Sequence, residues 1–184
     1  MAYRIKKVLF TAEEIRDTVR TLAAKISRDY QGETLYVVVI MNGALFFAAD
    51  LTRSIDSGVT VIMDSMHLSS RPTGTTSSGN IELLKDLQSS VAGQKVLIVE
   101  DVIDTGQTLK FAVERLLNEG GAASVEVCTL LTKPSRRIVD VNVKYCGKEI
   151  DDVFVVGYGL DLDGEWRNLP EIVILENDDG AIVR

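Results

Sequence analysis

The chain has 184 residues, 46% hydrophobic and 26% charged, the balance of a globular protein with enough chain to bury a core as a single domain, 1–184. Its formal net charge of −7 argues against a nucleic-acid partner, because such proteins present basic surfaces. No apolar run approaches the ~20 residues of a membrane span. The two cysteines, Cys128 and Cys146, and the lone His67 lack zinc-ligand spacing, so both thiols are expected to be reduced and buried and the histidine structural.

The opening MAYRIKKVLF turns polar too soon for a signal peptide, and a cytoplasmic location is expected. Thr11 with Glu14 fits a capping box, and Ile15, Val19, Leu22, Ala23 and Ile26 then recur at helical spacing. Residues 35–41, LYVVVIM, form a continuous β-branched run that predicts a strand buried on both faces. Asn42-Gly43 breaks it, and a helix is expected over 44–55, then a strand over 59–63. Residues 69–80, SSRPTGTTSSGN, lack large apolar side chains. Such a stretch is a hairpin linker or, as long loops in compact domains often are, a lid. Residues 95–99 (KVLIV) predict another buried strand. Leu109, Ala112, Val113, Leu116 and Leu117 mark an amphipathic helix that Gly120-Gly121 ends, and strands are expected over 125–131 and 153–156. The alternation predicts an α/β fold with a parallel sheet and helices on both faces, whose ligands bind at the carboxyl ends of the strands.

The segment 96–108, VLIVEDVIDTGQT, lies at one such end. Gly106 permits close backbone approach, Thr105 and Thr108 can donate hydroxyl hydrogen bonds, and the first N–H groups of the following helix attract phosphate. Glu100, Asp101 and Asp104 would repel a bare phosphate. They suit a ligand that also brings a divalent cation or sugar hydroxyls. The same pattern also fits a plain acidic turn capped by Asp and Thr.

VLIVEDVIDTGQT resembles the signature of the type I phosphoribosyltransferases, in particular the 6-oxopurine branch. LLTKP around Lys133, DVFVVGYGLD over 152–161, WRNLPEI around Arg167 and IMNGALFFAADL over 40–51 resemble that branch in order and spacing, so the likeness spans nearly the whole chain. It implies the type I fold with a small hood formed by the chain ends. It implies Mg²⁺-dependent transfer of phosphoribosyl from phosphoribosyl pyrophosphate to hypoxanthine or guanine, in a homodimer or homotetramer. By the same resemblance, Asp104, Thr105, Gly106, Gln107 and Thr108 bind the 5-phosphate, and Asp104 also exchanges a proton with the purine ring. Glu100 and Asp101 serve the ribose hydroxyls and one metal ion, Asp161 a second. Lys133 donates to the exocyclic oxygen at purine position 6, Phe154 and Ile103 flank the base, and the Val155 backbone meets its edge. Arg167, Asn42 and Gly43 contact pyrophosphate, as does Ser70 in the lid.

Two positions depart from the family pattern. Arg71 stands where the lid carries tyrosine, and offers a cation to pyrophosphate instead; Asn42 stands where a basic residue is common. KVLIVED also resembles the acidic strand of response regulators, but it begins at residue 95 and no aspartate ends the strand expected over 125–131. A related RNA-binding attenuator would need a basic face. Nothing in the pocket residues separates xanthine from the other 6-oxopurines.

Overall fold

The computed structural model describes residues 3–69 and 81–183. The expected lid residues Ser70 and Arg71 lie outside them. The two most apolar runs become neighbouring central strands, β2 (Thr34–Met41) and β5 (Lys95–Ile103), paired in parallel with Val39 opposite Val99. Around them a six-stranded sheet runs in the order β4-β3-β2-β5-β6-β7, with β3 at Thr60–Ser69, β4 at Glu82–Lys85, β6 at Ser124–Thr132 and β7 at Tyr145–Glu149. Every pair is parallel except β3 with β4.

Helix α1 (Ala12–Asp29) opens with the expected capping box, Thr11 and Glu14 each bonding the other's backbone. It packs with α2 (Leu45–Ser54) on one face of the sheet, burying Leu22, Ile26, Phe47 and Leu51 against Leu35, Val37, Leu97 and Val99. Helix α3 (Gln107–Asn118) covers the other face through Leu109, Ala112 and Leu116, against Val38, Val96 and Ile98. The chain leaves β2 toward β3 on one side and leaves β5 toward β6 on the other. The β2/β5 boundary is therefore the switch point at which open α/β sheets form their ligand crevice. The chain ends supply a separate antiparallel pair, β1 (Tyr3–Phe10) with β8 (Ile172–Asn177), which is the expected hood.

Three expectations need correction. Residues 153–156 form no strand: Val155 joins the α1-side core, while Val156 makes an isolated bridge to Val173 of β8. The run is apolar because it is buried between sheet and hood. Gly157, at φ +96°, then turns the chain back. The sheet edge is instead β7, a short mixed sequence with little apolar signal. Cys146 is exposed, although Cys128 is buried as expected; Tyr145 turns inward beneath α1, and alternation sends its neighbour to the open side of the edge strand. Third, β5 does not stop at Val99 but continues through Ile103, which places Glu100 and Asp101 inside the sheet.

Asp64 on β3 fixes the loop after β4. Its side chain is only 8% exposed. It accepts hydrogen bonds from the Ser65 and Gln88 N–H groups, each at 2.7 Å, and from Tyr36 Oη at 3.2 Å. Burial alone would raise its pKa, but these N–H donors and the charge of Lys85 together hold it below the usual carboxylate value. Stability from such a group is present above its unfolded pKa of ~3.9 and is lost as pH falls through the lower folded value. Asp64→Asn is thus expected to cost roughly 1–3 kcal/mol at pH 7. Urea unfolding at a series of pH values should show that gap narrowing in acid; a pH-independent gap would mean that the charge of Asp64 does not contribute.

Candidate active site

The carboxyl end of β5 and the loop after it build the site. Glu100 is 8% exposed, and it has Asp101 as its immediate neighbour. Burial, and then the charge of Asp101, push the Glu100 pKa well above the ordinary carboxylate value; burial likewise raises Asp101, against which the charge of Arg167 pulls. The Asp101 carboxylate accepts the Val102 N–H at 2.6 Å. The backbone after β2 presses on this pair: a Cβ added to Gly43 would lie 1.7 Å from Asp101 Oδ2, so any larger residue there would have to displace the Asp101 carboxylate.

The next residues turn into α3. Gly106 takes φ +87° as the residue before the helix, and a Cβ there would come within 2.8 Å of the Val139 carbonyl oxygen. The Ile138 and Val139 N–H groups donate to Thr105 O at 3.0 and 3.1 Å, strapping the loop from outside. The opening turn of α3 holds no acidic side chain, and its Gln107 N–H makes only a long 3.4 Å hydrogen bond to Thr105 Oγ1, so the N–H dipoles there favour an anion. A cavity of about 390 Å³ runs along this ground, lined by Gly43, Glu100, Asp101, Ile103 and the loop from Asp104 to Leu109.

A second cavity of about 430 Å³ adjoins it, lined by Asp104, Lys133, Arg136, Asp152 and Phe154. Asp104 lines both. Lys133 is buried one residue beyond β6, with its N–H donating to Ile103 O at 2.9 Å. Phe154 packs on the Val156–Val173–Leu175 cluster beneath the hood. Neither residue lies on a strand, contrary to the expectation for Phe154. Val155 buries its side chain in the core, and Ile103 lines the first cavity and is not among the residues lining the second.

The loop after residue 156 carries the other acidic and basic residues. Gly157 and Gly159, with φ of +96° and +101°, let it fold back until Gly159 abuts the Gly43 carbonyl. Tyr158, at φ +50°, anchors the turn by donating its Oη to Asp50 at 2.7 Å. Arg167 donates to Gly159 O at 2.6 Å and pairs with Asp161 at 2.8 Å, while Asp161 also accepts the Gly164 N–H. Asp161 therefore does not join Glu100 and Asp101 in one ligand set, and among the described residues no group of three such side chains could hold a metal. The buried pair nonetheless suits a hard cation: it offers oxygens alone and gains from added positive charge, and Mg²⁺ uses one or two carboxylates plus ligand oxygens.

Sequence reasoning missed Arg136. Its Nε donates to Asp104 Oδ1 at 2.8 Å, and its Nη1 lies 3.6 Å from Asp152 Oδ2. The only hint in the sequence was the basic doublet Arg136-Arg137 after Lys133-Pro134.

Comparison with known proteins places nearly the whole chain beside one family. The family model described as phosphoribosyl transferase domain matches residues 8–163. A hypoxanthine-guanine phosphoribosyltransferase of Staphylococcus aureus (strain Mu50) is 44% identical over 172 residues, 94% of each chain. That of Bacillus subtilis (strain 168) is 43% identical over 176 residues, 96% of each. A crystal structure of a hypoxanthine-guanine phosphoribosyltransferase from Bacillus anthracis superposes with a TM-score of 0.88 at 38% identity, covering 96% of this chain and all of that one.

A carboxyl whose folded pKa is raised adds stability only below its unfolded pKa, ~4.3 for glutamate, and that contribution is lost as pH rises through the folded value. At pH 7 and above, the metal-free pair therefore weakens the fold. Glu100→Gln should melt higher than the unaltered chain in chelator at pH 7.5, by about 2–4 °C per kcal/mol relieved. Excess Mg²⁺ should raise the unaltered chain more than the variant; equal shifts would remove Glu100 from the cation site.

Proposed function

The chain belongs to the phosphoribosyl transferase family, and on that footing we propose that it salvages purines, moving the 5-phosphoribosyl group of phosphoribosyl pyrophosphate onto hypoxanthine or guanine. The observation that carries this reading is the position of Asp104, on the shared wall of an anion-binding cavity and a cavity bounded by Lys133 and Phe154. Two half-sites meeting at one carboxylate suit a reaction that joins a sugar phosphate to a base.

In this reading the N–H groups and hydroxyls from Thr105 to Thr108 hold the 5-phosphate. Phe154 stacks on the purine, and the Val155 backbone meets its edge. Lys133 donates to the oxygen at position 6. An ammonium only donates, so it discriminates against the amino group of adenine. As the base nitrogen bonds to the anomeric carbon, the bond to pyrophosphate breaks and its electron pair leaves with the pyrophosphate oxygen. Asp104 accepts the proton that the imidazole edge of the purine sheds. Arg167, with the backbone of Asn42 and Gly43, faces the departing charge. Glu100 and Asp101 would hold one Mg²⁺ beside the ribose hydroxyls and Asp161 a second. The ion would supply neutralisation of the leaving group. Ser70 and Arg71 would add lid contacts to pyrophosphate, closing the site against water. We place the enzyme in the cytoplasm as a homodimer or homotetramer; no described helix is long and apolar enough to cross a membrane.

Steady-state rates with phosphoribosyl pyrophosphate, Mg²⁺ and each of hypoxanthine, guanine, xanthine and adenine test the reading. Turnover with hypoxanthine or guanine and little with adenine is expected; adenine as best substrate would refute it. Asp104→Asn should lower kcat by ~10²–10⁴-fold, since it keeps the loop's size but accepts no proton. Unchanged turnover would take Asp104 out of the chemistry.

A further inference from the structure

Arg136 is tied to the reacting region by its backbone as well as its side chain. It ends the short 3-10 turn Pro134–Arg136, whose proline fixes the turn's first residue and whose Arg136 N–H donates to Lys133 O at 3.1 Å. Lys133 is itself held by Ile103, one residue before Asp104. The guanidinium reaches back across the second cavity to Asp104 Oδ1 and toward Asp152 Oδ2. The Arg136 and Asp104 side chains are 45% and 41% exposed, and an ion pair so open to water contributes little to folding. Yet ordering a long arginine costs rotamer freedom. The pair also occupies one oxygen of the only carboxylate that lines both cavities, and leaves the other unassigned.

We propose that Arg136 is a positioning residue for the transfer reaction: braced between Asp104 and Asp152, it holds Oδ1 of Asp104 so that Oδ2 is presented to the imidazole edge of the purine. The inference rests on the role given to Asp104 above. It assigns Arg136 no contact with the phosphoribosyl donor, because Arg136 is absent from the wall of the phosphate cavity. The planar fork of arginine can engage two carboxylates at once, which the point charge of lysine does less well.

The test is a kinetic cycle on the full chain with hypoxanthine or guanine, phosphoribosyl pyrophosphate and Mg²⁺. Arg136→Gln should lower kcat about 10- to 100-fold, a part of what a general acid–base group contributes, with KM for the donor nearly unchanged. Arg136→Lys should recover part of that loss. In the Asp104→Asn background nothing remains to be positioned, so adding Arg136→Gln should cost little further. Thermal melts of all variants should coincide with the unaltered chain, separating a positioning effect from a folding one. Full kcat in Arg136→Gln, or the same fold-loss with and without Asp104, overturns this inference alone. A chain that turns over neither base overturns the parent reading and this one with it.

Discussion

Two adjacent carboxylates at the buried end of the central strand set the terms for everything around them. Glu100 and Asp101 sit at the boundary where the sheet's connections diverge, where neither α2 nor α3 closes the crevice. Burial raises the pKa of both, the charge of Asp101 raises Glu100 further, and among the described residues no full ion pair relieves them. The protein surrounds them instead with Gly43, whose missing side chain lets the backbone close in, and with the charge of Arg167 at some remove. That stored electrostatic deficit is what a divalent cation and the hydroxyls of a sugar would relieve. The anion-seeking turn of α3 follows within a few residues.

The same strand links the two halves of the site. Ile103 ends β5, accepts the N–H of Lys133, and is followed by Asp104. A change in the pitch of β5 would therefore move the acidic pair, the loop into α3 and Lys133 together. The loop beyond residue 156 closes the far side, and its left-handed residues are what bring Gly159 to Gly43 and Arg167 to Asp161.

Much of this was legible in the sequence, for reasons that can be named. Strand β2 and the first half of β5 are buried on both faces, so they read as unbroken apolar runs, and β6 shows a shorter one around Val127–Leu131. The capping box at Thr11 and the cluster from Glu100 to Thr108 are local patterns, which sequence displays directly. Edge strand β7, with Gly147, Lys148 and Glu149, shows no such run. Residues 153–156 imitated a strand because burial between sheet and hood demands the same side chains as burial within a sheet. The approach of Gly43 to Asp101 and the pairing of Arg136 with Asp104 join distant parts of the chain. Only the fold creates those contacts, and no spacing rule reports them.

We propose that the two cavities sharing Asp104 hold the two halves of one nucleotide. A crystal structure of the chain with inosine monophosphate tests it most directly. The expected complex has the phosphate on the N–H groups from Thr105 to Thr108, the ribose hydroxyls at Glu100 and Asp101, and the purine on Phe154 with its oxygen at Lys133. A nucleotide whose base lies away from Lys133 and Phe154, or whose phosphate lies away from the start of α3, would contradict it.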